Sequence, residues 1–472
     1  MIEPIRGLSE GQIEQLRKAT ESVLENVGFH VMHEGLRRRA GAAGAKVDEA
    51  SGRVRLPAPL LRELLAQAPA SYRIAGVDGS EYKLGGDSRH GLAIVTDPWI
   101  IDYETQKPRR PRLEDIRRHT RLAQELPQVV ALSLMDFPVT DFDGPTSSLH
   151  AREEYILTHG KHFYAVPSST EDLRCWLDIA GILAQGRAPG KGLLMSAAVA
   201  VVSPLTLAEA NAENLLIACE HHLPVIPTVC PSAGTTSPYS LASTLLQANA
   251  EAIFVGALTQ LVNPGQPFQY AIGPSLAEMR AGADRYYTID KVLWKVAAAQ
   301  LGRSYCLPTG TECGGTLNAH YDQQNGAEGM LFMLAAYSSR ANILAGFGSC
   351  YDALGMSAEM MVIQTAWLEV AKFLGRGINT DDEHLGLESL KKVGPGGSFL
   401  ADDLTLRFLR SDEFFQSDLF DLTCESGEAE PMLVRAHHKV EEWLAGYKSP
   451  VPEKTQEDIR RYFAELYRRL EH

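Results

Sequence analysis

Short apolar segments and amphipathic helices alternate without interruption from residue 92 to residue 376. Each apolar segment is rich in β-branched or aromatic residues and ends at a Pro, Gly, Ser or Asp. Strands that alternate with helices in this way form parallel sheets joined by helical crossovers. The predicted strands are LAIVT (92–96), VVALSLM (129–135), HFYAV (162–166), LLMSAAVAVV (193–202), PVIPTV (224–229), PFQYAI (267–272), SYCLP (304–308) and NILAGF (342–347). Eight strand–helix units match the size of a closed (β/α)8 TIM barrel, which is the fold we predict.

An open doubly wound sheet would show the same alternation of strands and helices. Nucleotide-binding sheets of that kind carry a glycine-rich phosphate loop. No GxGxxG follows the first strand, and no GxxxxGK followed by Ser or Thr occurs in the chain. We therefore favour the barrel, an α/β fold.

The segments on either side of the alternation are predicted as additions to the barrel. Residues 9–27 form an amphipathic helix, and shorter helices follow it, so residues 1–90 are expected to be a mostly helical N-terminal cap. Residues 91–376 form the barrel. Residues 377–472 are expected to be a C-terminal loop and helical extension, with two closing helices near 431–445 and 453–470.

Composition narrows the classes of function. The net charge of -14 disfavours binding to nucleic acid or to an anionic membrane surface. The longest apolar run, 193–205, is too short to span a membrane, and the N-terminal residues have no signal-peptide core. The 7 cysteines form no CxxC pair. We expect a soluble cytoplasmic enzyme, with no nucleic-acid or membrane partner, that self-associates as large barrels often do.

The residues just past each predicted strand form the barrel mouth, where barrel enzymes carry their active sites. No lysine ends a strand, and neither HxH nor HExxH occurs, which disfavours Schiff-base chemistry and two common metal sites. Glu312 is the carboxylate we assign a catalytic role. Aromatic faces with a carboxylate can hold a quaternary ammonium by cation–π attraction. The aromatic residues near the predicted mouth are Trp99, Tyr103, Phe137, Tyr239, Tyr286, Tyr321, Phe347 and Tyr351.

A zinc site is the alternative interpretation of the same region. Cys230, Glu312 and Cys313 follow different predicted strands, and cysteine and glutamate are common zinc ligands. Free cysteines in loops of small residues are more often packing residues, so we predict no bound metal.

Five segments of the chain carry a resemblance to a known family. They are LSEGQIEQLRKATESVLENVGFHV, AGAKVDEASGRVRLPAPLLRELLAQAP, SPLTLAEANAENLLIACEHHLPVIPTVCPSAGTTSPYSL, DQQNGAEGMLFMLAAYSSRANILAGFGSCYDALGMSAEMMV and KKVGPGGSFL. In this order they resemble the trimethylamine methyltransferase family, in the branch without pyrrolysine that includes glycine betaine methyltransferases. All residues of the chain are standard amino acids, as in that branch.

The resemblance implies a TIM barrel whose mouth docks a separate corrinoid protein. The cobalamin-type corrinoid is carried by that partner, takes a methyl group in its Co(I) state, and is not expected to bind this chain tightly. The stretch with Tyr321, Gln324, Gly326 and Glu328 looks like the family's segment after strand 7. The stretch 347–351 looks like the loop after strand 8.

These observations lead to one hypothesis with two alternatives. The hypothesis is a methyltransferase that moves a methyl group from a betaine-like quaternary amine to a corrinoid. Its expected substrate-binding residues are Trp99, Phe137, Tyr321, Gln324, Phe347 and Tyr351, with Glu312 near the rim. The alternatives are a zinc-dependent corrinoid methyltransferase for another one-carbon donor and a barrel that only binds a methylated amine.

Overall fold

Seven parallel strands form one curved sheet in a computed structural model that describes residues 5, 7–135, 138–186, 192–422 and 430–470. We number the barrel strands by their order in the chain. The bounds are His90–Ile94 (strand 1), Val129–Ser133 (strand 2), His162–Ala165 (strand 3), Met195–Ala200 (strand 4), Val225–Thr228 (strand 5), Gly310–Glu312 (strand 7) and Ile343–Phe347 (strand 8). Strands 1 to 5 pair in chain order, strand 7 pairs with strand 8, and strand 8 pairs with strand 1.

The gap between strands 5 and 7 is closed by the extended backbone of residues 267–270, which takes the place of strand 6. Phe268 forms a parallel bridge with Val225, and Tyr270 forms one with Thr309. The eight positions therefore make a closed ring, and the predicted (β/α)8 barrel is confirmed.

One helix follows each barrel strand, as the alternation predicted. In chain order they are Leu113–Glu125, Ser147–Leu157, Thr170–Leu183, Glu209–Glu220, Leu241–Val262, Lys291–Ser304, Gln323–Ser338 and Ala358–Arg376. Several begin at a Ser or Asp side chain that accepts a hydrogen bond from the third helical residue, for example Ser169, Ser240 and Ser357. Leu241–Val262 is long and apolar enough to cross a membrane, but 72% of its most apolar window is buried in the protein. It is a core helix of the barrel.

The predicted position of strand 7 is wrong. Residues 304–308 were expected to form it, but Ser304 is the last residue of the helix Lys291–Ser304. The backbone then turns through Cys306 at φ 58°, and Leu307 N donates to Gly302 O to end the helix. The apolar residues that suggested a strand belong to this helix end, and the strand itself is Gly310–Glu312.

The N-terminal segment contains strands that the sequence did not predict. Its helices are Glu10–Ser22, Glu34–Ala42 and Ala58–Leu65, with a π-helical turn at Val23–Val27. Its strands are Phe29–Val31, Lys46–Asp48, Arg53–Arg55, Ser71–Ala75 and Glu81–Gly85. The hairpin of Ser71–Ala75 and Glu81–Gly85 lies beneath the barrel, where Ile74 bridges to Leu193 before strand 4. This hairpin therefore contacts the N-terminal end of the barrel, opposite the mouth.

The remaining elements lie at the mouth of the barrel and in the C-terminal extension. Short strands at the mouth are Trp99–Ile101, Pro108–Arg109, Thr206–Leu207, Ser232–Ala233, Ser275–Glu278, Ala283–Arg285, Ser349–Cys350 and Gly355–Met356, and a 3-10 turn lies at Gly144–Thr146. The extension has helices Asp382–Leu385, Leu387–Val393, Asp403–Phe408, Met432–Gly446 and Glu453–Leu470. The last two lie where the sequence predicted closing helices.

Candidate active site

A cavity of about 230 Å³ lies inside the C-terminal half of the barrel. Every barrel strand contributes to its wall, which is mostly apolar, with side chains such as Leu92, Ile94, Ile226 and Ile343. The polar members of the wall include Ser133, Tyr164, Thr228, Cys230, Gln269, Tyr286 and Glu312. An apolar pocket with a few convergent polar groups at this end of a barrel is the expected form of an active site.

Glu312 is the carboxylate of this wall. It ends strand 7, and its side chain is 18% exposed. Lys295 Nζ donates a hydrogen bond to Oε2, and the Tyr286 hydroxyl donates one to Oε1. Gly273, at the same level on the neighbouring strand position, makes room for this contact, because a Cβ there would collide with the Tyr286 hydroxyl. Glu312 therefore lies in the predicted place, although its partners were not predicted.

The two lysines keep Glu312 ionised. Burial by itself would raise the pKa of this carboxyl, but Lys295 and Lys291 lower it well below its usual range. Both lysine side chains are buried behind the carboxylate, at 0% exposure for Lys291 and 1% for Lys295. The negative end of the cluster thus faces the cavity and its positive end faces the protein. The carboxylate is therefore the charged group of the cluster that a ligand in the cavity would meet.

Of the two lysines, Lys291 has the fewer hydrogen-bond and ion-pair contacts for its ammonium group. Its Nζ lies 3.7 Å from Glu312 Oε1 and 2.8 Å from the centre of the Tyr286 ring. That nitrogen has no hydrogen-bond partner among the residues that the structure describes. Burial lowers the pKa of Lys291 to about 7, an effect that Lys295 reinforces and Glu312 opposes. Lys291 can therefore change its charge near neutral pH.

The deeper end of the cavity holds a buried amide. Gln269 Oε1 accepts hydrogen bonds from the hydroxyls of Tyr164 at 2.7 Å and of Tyr72 at 3.3 Å. Tyr72 belongs to the hairpin beneath the barrel, so the N-terminal segment contacts a residue of the cavity wall through this hydrogen bond. None of these three residues was singled out from the sequence.

Phe347 does not line the cavity, contrary to the prediction. Its side chain is fully buried, and one ring carbon would lie 3.0 Å from a Cβ on Gly91 of strand 1. The cause is an irregularity in the pairing of strand 8 with strand 1 between Ala345 and Phe347, where Gly346 has φ 100°. This bulge changes the alternation of side chains, so Ala345 faces the cavity and Phe347 packs in the core.

The other predicted ligand residues that the structure describes also lie outside the cavity wall. Trp99 is covered by the Arg110 guanidinium, 4.0 Å from the ring centre. The Tyr321 hydroxyl donates to Ser357 Oγ at 2.8 Å, and Gln324 Nε2 donates to Glu328 Oε1 at 2.7 Å. Tyr351 lies in a left-handed turn above strand 8, and Phe137 falls outside the described residues. Of the described aromatic residues that we placed near the mouth, Tyr286 alone lines the cavity.

The three residues that the alternative interpretation assigned to zinc do not converge. Cys230 and Glu312 share the cavity wall, but Cys313 is fully buried in the core. Adjacent residues in a strand point to opposite faces, so Glu312 and Cys313 must diverge. No group of three or more His, Cys, Asp or Glu side chains suited to a metal occurs within the described ranges. Enclosure in the barrel raises the pKa of the Cys230 thiol to about 11.

The sequence did contain a signal for the missed lysines. Lys291 and Lys295 are four residues apart in DKVLWKVAAAQLG, so they share one helix face. Apolar residues flank Lys295 on both sides, and a lysine in such a stretch requires a partner when it is buried. The prediction considered only residues at strand ends, and it therefore excluded lysines that reach the mouth from a helix.

Comparison with known proteins adds to this geometry. The sequence profile of trimethylamine methyltransferase matches residues 1–470. A glycine betaine methyltransferase of Desulfitobacterium hafniense (strain Y51) is 28% identical over 455 residues, covering 94% of this chain and 93% of the relative. A proline betaine:corrinoid methyltransferase of Eubacterium limosum is 26% identical over 477 residues and covers 97% of each chain. Among solved structures, the monomethylamine methyltransferase of Methanosarcina barkeri aligns with a TM-score of 0.47 and 12% identity, over 91% of this chain and 92% of that one.

Proposed function

The chain belongs to the trimethylamine methyltransferase family, and we propose that it transfers a methyl group from a betaine-like quaternary amine to the Co(I) corrinoid of a partner protein. The relatives named for glycine betaine and proline betaine, each aligned over more than nine-tenths of its length, support this substrate class. The structural observation that carries the proposal is an ionised carboxylate, Glu312, in the wall of an otherwise mostly apolar cavity at the barrel mouth.

Demethylation of a quaternary amine needs only the kinds of residue that this site contains. When the C–N bond breaks, the electron pair stays on nitrogen and the product is a neutral tertiary amine. The methyl group passes to Co(I), which supplies the electron pair of the new bond. Because the leaving group is already activated by its positive charge, no general acid or metal ion is needed. The protein has to bind, desolvate and align the N–CH3 bond.

The cavity residues provide those functions. Glu312 attracts the ammonium group, and the Tyr286 and Tyr164 rings add aromatic surface to the wall. The apolar side chains exclude water from the head group, which strengthens the attraction to Glu312. Since the cavity reaches the ends of strands 5 to 7, the methyl group can face a corrinoid that docks on the mouth.

A methyl-transfer assay tests the proposal. The purified protein is mixed with a partner corrinoid protein reduced to Co(I) and with glycine betaine, proline betaine, carnitine, choline or trimethylamine in turn. We expect loss of the Co(I) absorbance and formation of the demethylated amine with at least one betaine. Reaction with trimethylamine alone would overturn the substrate class, and no reaction with any amine would overturn the function.

We further propose a cytoplasmic location for the protein. A Co(I) acceptor requires a reducing compartment, and the cysteines in the described part of the chain are free thiols. Fractionation of the source cells tests this location, and recovery of the protein outside the cytoplasm would contradict it.

We also propose that the chain self-associates through its C-terminal extension. Ile378 and Leu400 there are 90% and 86% exposed, and Leu409 and Phe414 are each 72% exposed. Leu409 and Phe414 line the same surface pocket, and contiguous exposed apolar surface is typical of interfaces. Light scattering should show an oligomer for the wild type and a smaller species for the double variant Leu400→Asp and Phe414→Asp. A monomeric wild type contradicts this proposal.

A further inference from the structure

Gln269 is a buried amide with only one of its two polar ends engaged. The residue is 2% exposed, and its oxygen accepts from the Tyr164 and Tyr72 hydroxyls. A hydroxyl donates to the amide oxygen, so these two contacts fix which end of the side chain points to the tyrosines. The nitrogen must therefore occupy the other side.

The amide nitrogen of Gln269 faces Gly310 on strand 7. A Cβ on Gly310 would lie 2.5 Å from Nε2, so only a glycine leaves room for this orientation. Both Gln269 and Gly310 line the cavity. Within the described residues, Nε2 donates to no protein acceptor, and it is not among the fully buried unpaired atoms, so it is accessible from the cavity. A ligand in the cavity can therefore supply the acceptor for this donor.

The distance between this nitrogen and Glu312 suits a small zwitterion. Gly310 precedes Glu312 by two residues on the same strand. Two residues of a parallel strand span about 6.6 Å, which separates the level of the amide from the level of the carboxylate. One end of the cavity thus offers hydrogen-bond donors, and the other offers a negative charge.

We propose that the Gln269 amide binds the carboxylate of the substrate, so that the site selects zwitterionic quaternary amines over purely cationic ones. This inference rests on the proposed function and assigns a specificity role to a residue of the same cavity. The carboxylate lies deep, against Gln269, and the ammonium lies beside Glu312. The N-methyl groups then point to the mouth, where the methyl acceptor must approach.

The surroundings of Gln269 fit a neutral donor for the carboxylate. The described part of the cavity wall includes no arginine or lysine side chain. A zwitterion has no net charge, so an amide can satisfy its carboxylate while Glu312 compensates its ammonium. Tyr164 and Tyr72 act as positioning residues, because they hold the amide oxygen away from the ligand.

Binding of matched ligands to Gln269 variants tests the inference. Gln269→Glu keeps an oxygen for both tyrosines but lacks the amide donors, and Gln269→Met removes the polar group. Each ligand, glycine betaine or tetramethylammonium, is titrated by calorimetry against folded protein, with thermal unfolding as the check on the fold. Gln106→Glu, in an exposed turn, is the control for the added charge.

We expect both Gln269 variants to weaken glycine betaine binding by about tenfold to a hundredfold, as for lost hydrogen bonds to a charged group. Tetramethylammonium, which has no carboxylate, should change by no more than about threefold. Gly310→Ala, which displaces the amide, should reproduce the selective loss. Equal losses for both ligands, or unchanged glycine betaine binding, would overturn the inference. Wild-type protein that binds both ligands but transfers no methyl group would instead overturn the proposed function and leave the amide–carboxylate contact standing.

Discussion

Lys295, on the helix after barrel strand 6, donates a hydrogen bond to Oε2 of Glu312 at the end of barrel strand 7. The pair links two adjacent barrel units, and the Lys295 side chain is screened from bulk water. A buried carboxylate without such a partner would take up a proton and lose its charge. Lys295 therefore helps to keep Glu312 charged, which the proposed contact with an ammonium group requires.

Substitution of Glu312 tests the role of its charge. Glu312→Gln should weaken binding of glycine betaine by at least about tenfold, because the two lysines behind it would be left uncompensated. The neutral-head isostere 3,3-dimethylbutanoate should lose much less affinity. Calorimetric titration of both ligands gives the comparison, and a double variant with Lys295→Met restores the local charge balance. A similar loss for both ligands would show that Glu312 only shapes the cavity.

Ligand binding should depend on pH through Lys291. Burial lowers the pKa of Lys291 to about 7, so below that pH the cluster carries one more positive charge than above it. Affinity for tetramethylammonium should therefore rise as the pH increases from about 6 to about 8. The groups that face Lys291 are Glu312, Lys295, Tyr286, Cys230 and Asp284. Of these, the Cys230 thiol has its pKa raised to about 11, outside this interval.

The variant Lys291→Met should bind tetramethylammonium with the same affinity across this pH range. Fluorescence or calorimetric titrations at several pH values provide the measurement. If the variant keeps the wild-type pH dependence, the titration of a group other than Lys291 causes the change in affinity.

Phe347 should affect stability and leave ligand binding unchanged. Phe347→Ala removes a fully buried ring, so the free energy of unfolding should fall by about 3–5 kcal/mol. Glycine betaine affinity of the folded variant should remain at the wild-type value. Tyr286→Phe is the contrasting variant, because it removes a hydrogen bond to Glu312 inside the cavity. Denaturant unfolding gives the stability and ligand titration gives the affinity, and weaker binding by folded Phe347→Ala would support Phe347 as a substrate-binding residue.

A left-handed turn after strand 8 positions Tyr286. Tyr351, Asp352 and Ala353 have φ values of 49°, 57° and 61°, which L-residues rarely adopt. Asp352 Oδ1 accepts from the backbone nitrogens of Tyr286 at 2.7 Å and Tyr287 at 2.8 Å. Ala353→Gly should raise the free energy of unfolding by about 1 kcal/mol, because glycine adopts this conformation without strain. Ala366→Gly, inside a helix, should lower it by about 1 kcal/mol. A destabilised Ala353→Gly would argue against strain in this turn.

The sequence predicted the barrel because its alternation of strands and helices is a property of the whole chain. The wrong predictions concern positions where a single local feature, such as a helix end or a bulge, determines the structure. Strand 7 was misplaced because the apolar residues 305–308 follow directly on a helix end, whereas Gly310–Glu312 has no apolar run. A three-residue strand that contains a glycine gives no periodic signal.

The candidate site was predicted only in part, for reasons of geometry. Glu312 lies in the cavity wall because it ends a strand, and the place of a strand end in the barrel follows from the sequence; its role stays a prediction. Phe347 was misassigned because the bulge at Gly346 changes the side-chain alternation. A single glycine in a strand does not by itself predict a bulge. Gln269 and Tyr72 are in contact only because the N-terminal hairpin packs beneath the barrel. They are 197 residues apart in the sequence, so no local pattern predicts this contact.

The most direct test of the account is a single-turnover experiment with methyl-labelled glycine betaine. Equimolar protein and Co(I) partner are mixed with the labelled substrate, and dimethylglycine formation is followed by NMR together with the loss of Co(I) absorbance. The account predicts one dimethylglycine per Co(I) consumed for the wild type, and a strongly reduced rate for Glu312→Gln at equal substrate concentration. A wild type that consumes no Co(I), or a Glu312→Gln variant as fast as the wild type at limiting substrate, would contradict it.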